Sequence, residues 1–81
     1  MTSVDLAALI LPPTVWAEVL KLLATIEEAE SVQALNFANQ HAREFVLGLE
    51  AGGALLAADI EALYIGLDTA AQLRHVALRD A

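Results

Sequence analysis

Apolar residues recur along this chain at spacings of three and four positions, which is the pattern of amphipathic α-helices. Proline and glycine interrupt the pattern at Pro12-Pro13 and at Gly52-Gly53. A residue before proline avoids the helical region, whereas proline itself suits a first helical position. The pattern therefore predicts one all-α domain over residues 1–81, with helices at approximately 4–10, 13–24, 26 or 31 to 51, and 57–79.

The third of these helices has two candidate starts. Thr25 with Glu28 three residues later reads as a capping box, and Ser31 is an alternative N-cap. A nearby acidic group, Glu27, Glu28 and Glu30, is expected in the first turns of this helix, where the helix dipole favours negative charge. The predicted buried stripe of the helix consists of Ala34, Leu35, Ala38, His41, Ala42, Phe45, Val46 and Leu49.

The last helix has two apolar sides. Gly52-Gly53 should reverse the chain, so that the last two helices form a long antiparallel hairpin. Gly48 and Gly66 are expected to permit close helix approach. The side expected to face the preceding helix comprises Leu56, Ile60, Leu63, Leu67, Ala70 and Ala71, and the other side carries Ile65, Thr69, Leu73 and Val76.

The second apolar side of the last helix should be buried against another helix. Either helix 13–24 or a second copy of the chain can cover it. Apolar residues make up 58% of the 81 positions, and a domain of this size buries only about 60% of the surface that its unfolded chain exposes. We therefore expect a short N-terminal helix plus a long hairpin, a small helical bundle completed as a homodimer.

The charge and the cysteine content exclude several classes. The net charge is -7, with only four scattered basic residues, which disfavours direct nucleic-acid binding and anionic membrane surfaces. The chain lacks cysteine, a basic secretory leader and an apolar run long enough to cross a membrane, so we expect a cytoplasmic protein without disulfides.

Candidate chemistry is sparse. His41 and Glu44 share one helix and His75 lies on another, but the Glu-x-x-His element and the inward carboxylates of a bundle metal site are missing. The chain also has no glycine-rich phosphate loop and no serine-histidine-aspartate set. We expect neither an enzyme nor a bound metal or cofactor.

One segment resembles a known family. The residues from Glu30 to Leu35 resemble the Asp-Ser-Leu motif of acyl carrier proteins, which are also acidic, helical and of about this length. In this chain glutamate stands in place of the aspartate of that motif. The resemblance implies an alternative function, in which Ser31 would carry a phosphopantetheine arm at the start of a helix.

The favoured interpretation is a non-catalytic protein-binding module. A small acidic regulator or inhibitor, such as an antiactivator, an antitoxin or a phage-type inhibitor, would lay an apolar helix face into a groove of its target. A further alternative is an acidic DNA mimic. The predicted interface residues are Leu63, Ile65, Leu73 and Val76 in the last helix, with Trp16 and Phe45 as anchors.

Overall fold

Three helices make up most of the chain. The computed structural model describes Leu6 and residues 9–80, and within them the helices are α1 (Pro13–Glu27), α2 (Val32–Gly52) and α3 (Ala57–Arg79). These described residues contain no strand. All three helices contact one another, with a Cα radius of gyration of 12.6 Å. The all-α prediction is confirmed.

Helix α1 begins at the second proline and runs three residues beyond the predicted end. The Trp16 amide donates to the Pro12 carbonyl at 2.9 Å, and the Glu28 amide closes the other end on the Ala24 carbonyl. The Thr25 hydroxyl donates to the Lys21 carbonyl at 3.0 Å, inside the helix. Thr25 therefore does not cap the next helix.

Ser31 is the N-cap of α2. Its hydroxyl oxygen accepts a hydrogen bond from the Ala34 amide at 3.0 Å. As a result, the first turn of α2 contains no acidic residue, and the predicted place of the acidic group there is wrong. Glu27 is the last residue of α1, and Glu28 and Glu30 lie in the connection that follows it.

The two consecutive glycines end α2 as predicted. Gly53 has φ of 66°, in the left-handed region where a β-carbon costs energy, and its amide donates to the Glu50 carbonyl. Leu56 then stands just before α3 in extended conformation with 74% of its surface exposed. Its predicted place in the stripe facing α2 is wrong, because it precedes the helix.

The core lies between the three helices. Leu63, Val46 and Ile26 are among its fully buried side chains, and the buried stripe of α2 follows the predicted phase except at Ala34 and His41, which are exposed. The complete set of buried apolar residues is Val19, Leu22, Ile26, Ala29, Leu35, Ala38, Ala42, Val46, Ile60, Leu63, Leu67 and Ala71.

The predicted helix 4–10 falls mostly outside the described residues. Leu6 lies in a 3₁₀ turn, half-buried against the core, and Leu9 and Ile10 are not helical. A β-carbon built on Gly66 would lie 2.6 Å from Leu6 Cγ, so Gly66 does permit a close approach, but of Leu6 and not of a neighbouring helix. At Gly48 nothing lies within 4 Å, so the prediction for that glycine is wrong.

No helix that the structure describes is both long and apolar enough to cross a membrane.

Candidate interaction surface

The second apolar side of α3 stays exposed in the folded chain. The α3 face, as we call Ile65, Thr69, Leu73 and Val76, carries three large apolar side chains that are 43%, 68% and 53% exposed at residues 65, 73 and 76 respectively. Helix α1 packs on the core elsewhere and leaves these side chains in contact with solvent. Contiguous apolar surface of this kind typically marks an interaction site.

The α3 face points away from the core. At about 100° per residue, its four residues occupy a sector of about 80° nearly opposite the buried residues Ile60, Leu63, Leu67 and Ala71. Within Ala57–Arg79 no charged side chain lies in that sector, and the C-cap residue Asp80 follows Val76 just beyond the end of the helix. Glu61 and Arg79, both exposed, stand along one edge of it near its two ends.

The polar groups on and beside the α3 face are bonded within the chain. The Thr69 hydroxyl donates to the Ile65 carbonyl at 2.8 Å, and the Gln72 amide nitrogen donates to Asp68 Oδ2 at 2.8 Å. If a partner covered Thr69, the hydroxyl would therefore still have its acceptor. A buried donor that is left without an acceptor costs about 1–3 kcal/mol. The α3 face can therefore be buried without leaving these polar groups unpaired.

The other predicted interface residues lie deeper. Leu63 is 0% exposed in the core of the single chain, so it offers no surface to a partner and we leave it out of the α3 face. Trp16 and Phe45 are half-buried and pack against the core, on α1 and α2 respectively. The structure therefore does not gather the six predicted residues into one patch.

Among the large exposed apolar residues on α2, the two most exposed were not predicted as contact residues. Phe37 is 75% exposed and Leu47 is 55% exposed. Phe37 borders a shallow groove of about 330 Å³ with Gln40, His41 and Glu44. Their signal in the sequence is that both fall outside the buried phase of Leu35, Ala38, Ala42 and Val46.

A larger groove separates α2 from α3. It measures about 480 Å³ and is lined by Asn39, Arg43, Tyr64, Ile65, Leu67 and Asp68. Asn39 Oδ1 is buried there without a hydrogen-bond partner among the described residues, and the Tyr64 hydroxyl donates to Glu50 Oε1 at 3.5 Å. Partial burial and the Glu50 carboxylate raise the pKa of Tyr64 above its ordinary value.

Arg74 connects α3 to the turn between α1 and α2. Its Nε donates to the Ala29 carbonyl at 2.8 Å, across 45 positions of sequence. Arg74 also lines a shallow groove of about 390 Å³ beside the end of α1, together with Glu27, Thr69 and Leu73. The arginine thus holds the turn that precedes Ser31 against the helix that carries the α3 face.

The predicted chemical candidates stand apart. His41 is exposed on α2, and His75 is half-buried on α3. Among the described residues, no three histidine, aspartate or glutamate side chains gather where they could hold a metal ion. Ser31 is exposed at the start of α2, where its hydroxyl serves as the N-cap. Attachment of a prosthetic group there stays a prediction.

The chain was also compared with known proteins. No protein-family model, no curated protein and no solved structure matches it.

Proposed function

We propose that this chain is a non-catalytic protein-binding module, a small acidic regulator that contacts its target through the α3 face. The observation that carries the proposal is the exposure of Leu73 and Val76 at 68% and 53% on a side of α3 that has no charged residue. A row of apolar side chains at helical spacing is the surface that another amphipathic helix or an apolar groove recognises.

The proposal takes α2 and α3 as an antiparallel hairpin. Two contacts support that arrangement: Glu50, near the end of α2, meets Tyr64, whereas Asn39, earlier in α2, lines a groove with Asp68, later in α3. In such a hairpin the buried stripe of α3 packs against α2 and α1. The α3 face is then free for a partner.

The charges of the molecule fit a regulator of proteins better than a mimic of DNA. A mimic needs carboxylates aligned over one surface. Here Glu27, Glu28 and Glu30 gather around one turn, while other acidic residues, such as Glu18, Glu44 and Asp68, are spread over all three helices. The uncharged α3 face lies apart from that acidic turn for most of its length.

The test compares two charged substitutions at matched exposed leucines. Leu73→Glu places a carboxylate in the α3 face, and Leu47→Glu places one on α2, where the leucine is exposed to a similar degree. Each variant and the unchanged chain are used as bait in extracts of the source cell, after circular dichroism has established that both variants are folded. We expect a specific target to be lost with Leu73→Glu and retained with Leu47→Glu. Loss with Leu47→Glu alone would contradict the proposal.

A further inference from the structure

We propose that the α3 face binds α3 of a second copy of this chain, packed antiparallel about a two-fold axis that passes beside Thr69. This inference rests on the proposed function, since it names a partner for the same surface, and a separate target would have to compete with the second copy for it. Three observations support it: the order of large and small residues along α3, the positions of Glu61 and Arg79, and the internal bonding of Thr69.

Large and small side chains along α3 are complementary about Thr69. In an antiparallel pair, positions equally distant from the axis face each other, so Ile65 lies opposite the partner's Leu73 and Ala62 lies opposite the partner's Val76. Ala62 is half-buried and continues the α3 face toward the start of the helix. A small residue opposite a β-branched one lets the two helices interdigitate at close distance.

Charge is complementary in the same arrangement. Glu61 and Arg79 are five helical turns apart, at about 3.6 residues per turn, and therefore share one edge of the α3 face. A two-fold axis brings that edge of one copy beside the same edge of the other. Glu61 is then offset from the partner's Arg79 by about 3 Å along the helix. Symmetry creates this pair twice.

A parallel pair lacks both features. It sets each residue level with its own copy, so Ala62 would meet the partner's Ala62 and leave space unfilled. It also separates Glu61 from the partner's Arg79 by about 27 Å along the helix. The antiparallel pair is the arrangement in which size and charge agree.

Asp68 opposes the antiparallel arrangement to a small degree. It lies on the same edge as Glu61, next to the axis, and the partner's Asp68 comes near it. The Gln72 amide donates to the Asp68 carboxylate within each copy and moderates the repulsion. Asp68→Asn should therefore strengthen the dimer without a change in fold.

A single helix pair forms a small interface. Stable complexes bury about 1,600 Å² in total, and one pair of helix faces provides less. The net charge of -7 on each copy adds long-range repulsion. The dimer is therefore expected to dissociate on dilution, and its mass must be followed over a wide range of concentrations.

Single cysteines provide the decisive test, because the chain has no cysteine of its own. A disulfide needs Cα atoms within about 7 Å. Under mild oxidation, Thr69→Cys should form a dimer with itself. Ala62→Cys should not form a dimer with itself, since the cysteines of the two copies would lie about 21 Å apart along the helix. A mixture of Ala62→Cys and Val76→Cys should form the mixed dimer.

The controls distinguish a specific dimer from random collision. Leu47→Cys, exposed on α2, should stay monomeric under the same oxidation. Dimers of Ala62→Cys alone would show a parallel pair and overturn the proposal. Absence of Thr69→Cys dimers at every concentration would also overturn it.

Charge reversal tests the Glu61 and Arg79 pair independently. Arg79→Glu should weaken the dimer, by about two- to tenfold for two exposed ion pairs. Glu61→Arg should weaken it less, because that change also lowers the net negative charge of each copy. The double variant should restore it, because the attraction is rebuilt with the signs exchanged. Sedimentation equilibrium measures the dissociation constant. Additive weakening in the double variant would contradict the pairing.

The outcomes separate this inference from the proposed function. A chain that is monomeric in these experiments, but loses its target on Leu73→Glu, keeps the proposed function and loses the dimer. A chain that forms the Thr69→Cys dimer, and binds its target equally well after Leu73→Glu, keeps the dimer and loses target binding through this face.

Discussion

Gly66 and Gly48 both lie inside helices, yet a side chain added at each meets different surroundings. At Gly66 the added β-carbon would come within 2.6–2.9 Å of three Leu6 atoms, whereas at Gly48 it would meet nothing within 4 Å. The sequence suggests one role for both glycines. Only the placement of Leu6 against α3 distinguishes them.

Replacement of each glycine by alanine should therefore give different stabilities. Gly48→Ala should stabilise the protein by about 0.5–1 kcal/mol, the usual gain in a helix interior. Gly66→Ala should gain less or lose stability, because Leu6 must move away. In a Leu6→Ala background, Gly66→Ala should gain as much as Gly48→Ala. Urea unfolding measures all four variants. If Gly66→Ala changed the stability equally in the Leu6→Ala background and in the unchanged chain, the contact between Leu6 and position 66 would be contradicted.

Arg74 should contribute to stability through one hydrogen bond. Arg74→Met keeps an apolar stem but leaves the carbonyl of Ala29, a residue only 7% exposed, without its donor. The expected loss is about 1–3 kcal/mol in the free energy of unfolding. Lys21→Met, at an exposed position on α1, should change it by less than about 0.5 kcal/mol. Equal effects of the two substitutions would show that the Ala29 contact adds nothing.

Individual side chains show where sequence periodicity is insufficient. Leu63 was predicted in both the buried stripe and the interface, and its burial shows that it belongs to the core. The helical phase predicts His41 on the buried stripe, three positions after Ala38, yet it is exposed. One position along a helix rotates a side chain by about 100°, so a periodic pattern cannot assign residues at the border of a stripe.

At the scale of the element, the helix ends followed the sequence closely. Pro13 and the two consecutive glycines set the start of α1 and the end of α2 through their backbone preferences. The connection between α1 and α2 was ambiguous, because Thr25 and Ser31 are both good caps. Ile26 belongs in the core, so α1 continues past Thr25 and leaves the capping role to Ser31.

The two candidate caps provide a matched pair for a test. Ser31→Ala removes the acceptor for the Ala34 amide and should cost about 0.5–2 kcal/mol, while Ser31→Asn should retain most of the stability. Thr25→Ala removes only a bond from Thr25 to the Lys21 carbonyl inside α1 and should be close to neutral. Thermal unfolding measures these differences. A larger cost at Thr25 would contradict the assignment of the cap.

The two glycines that end α2 also differ. Gly53 has φ of 66°, and Gly52 is the last helical residue. Gly53→Ala should destabilise the protein by about 1–2 kcal/mol, because a β-carbon is strained in the left-handed region. Gly52→Ala should be neutral or stabilising, since nothing lies within 4 Å of its added β-carbon. If both changes have the same effect in urea unfolding, the turn is not as described.

At the scale of the whole molecule, the apolar residues divide into a buried set and an exposed set. The buried set fills the space between three helices, and the large apolar side chains that remain exposed lie chiefly on α3, on the outer side of α2 and around the ends of the helices. The sequence predicted the row on α3 because its phase differs from the buried stripe by half a turn. Phe37 and Leu47 were missed, since the positions three and four residues away from each are mainly polar and form no apolar row with it.

The negative charge also has a different meaning at this scale. Glu27, Glu28 and Glu30 do not support the start of α2 but surround the end of α1, where the helix dipole does not favour carboxylates. Arg74 supplies a positive group to this turn from α3. Such a contact between distant parts of the chain depends on tertiary packing, which local periodicity does not encode.

The central claim is that a partner covers the α3 face in the cell. Its most direct test places a photoreactive amino acid at position 73, and at position 47 as a control, in the full chain produced in its source cell. Irradiation should give a discrete adduct from position 73, with a second copy or with one target protein, and none from position 47. A discrete adduct from position 47 only, or no adduct from position 73, would contradict the claim.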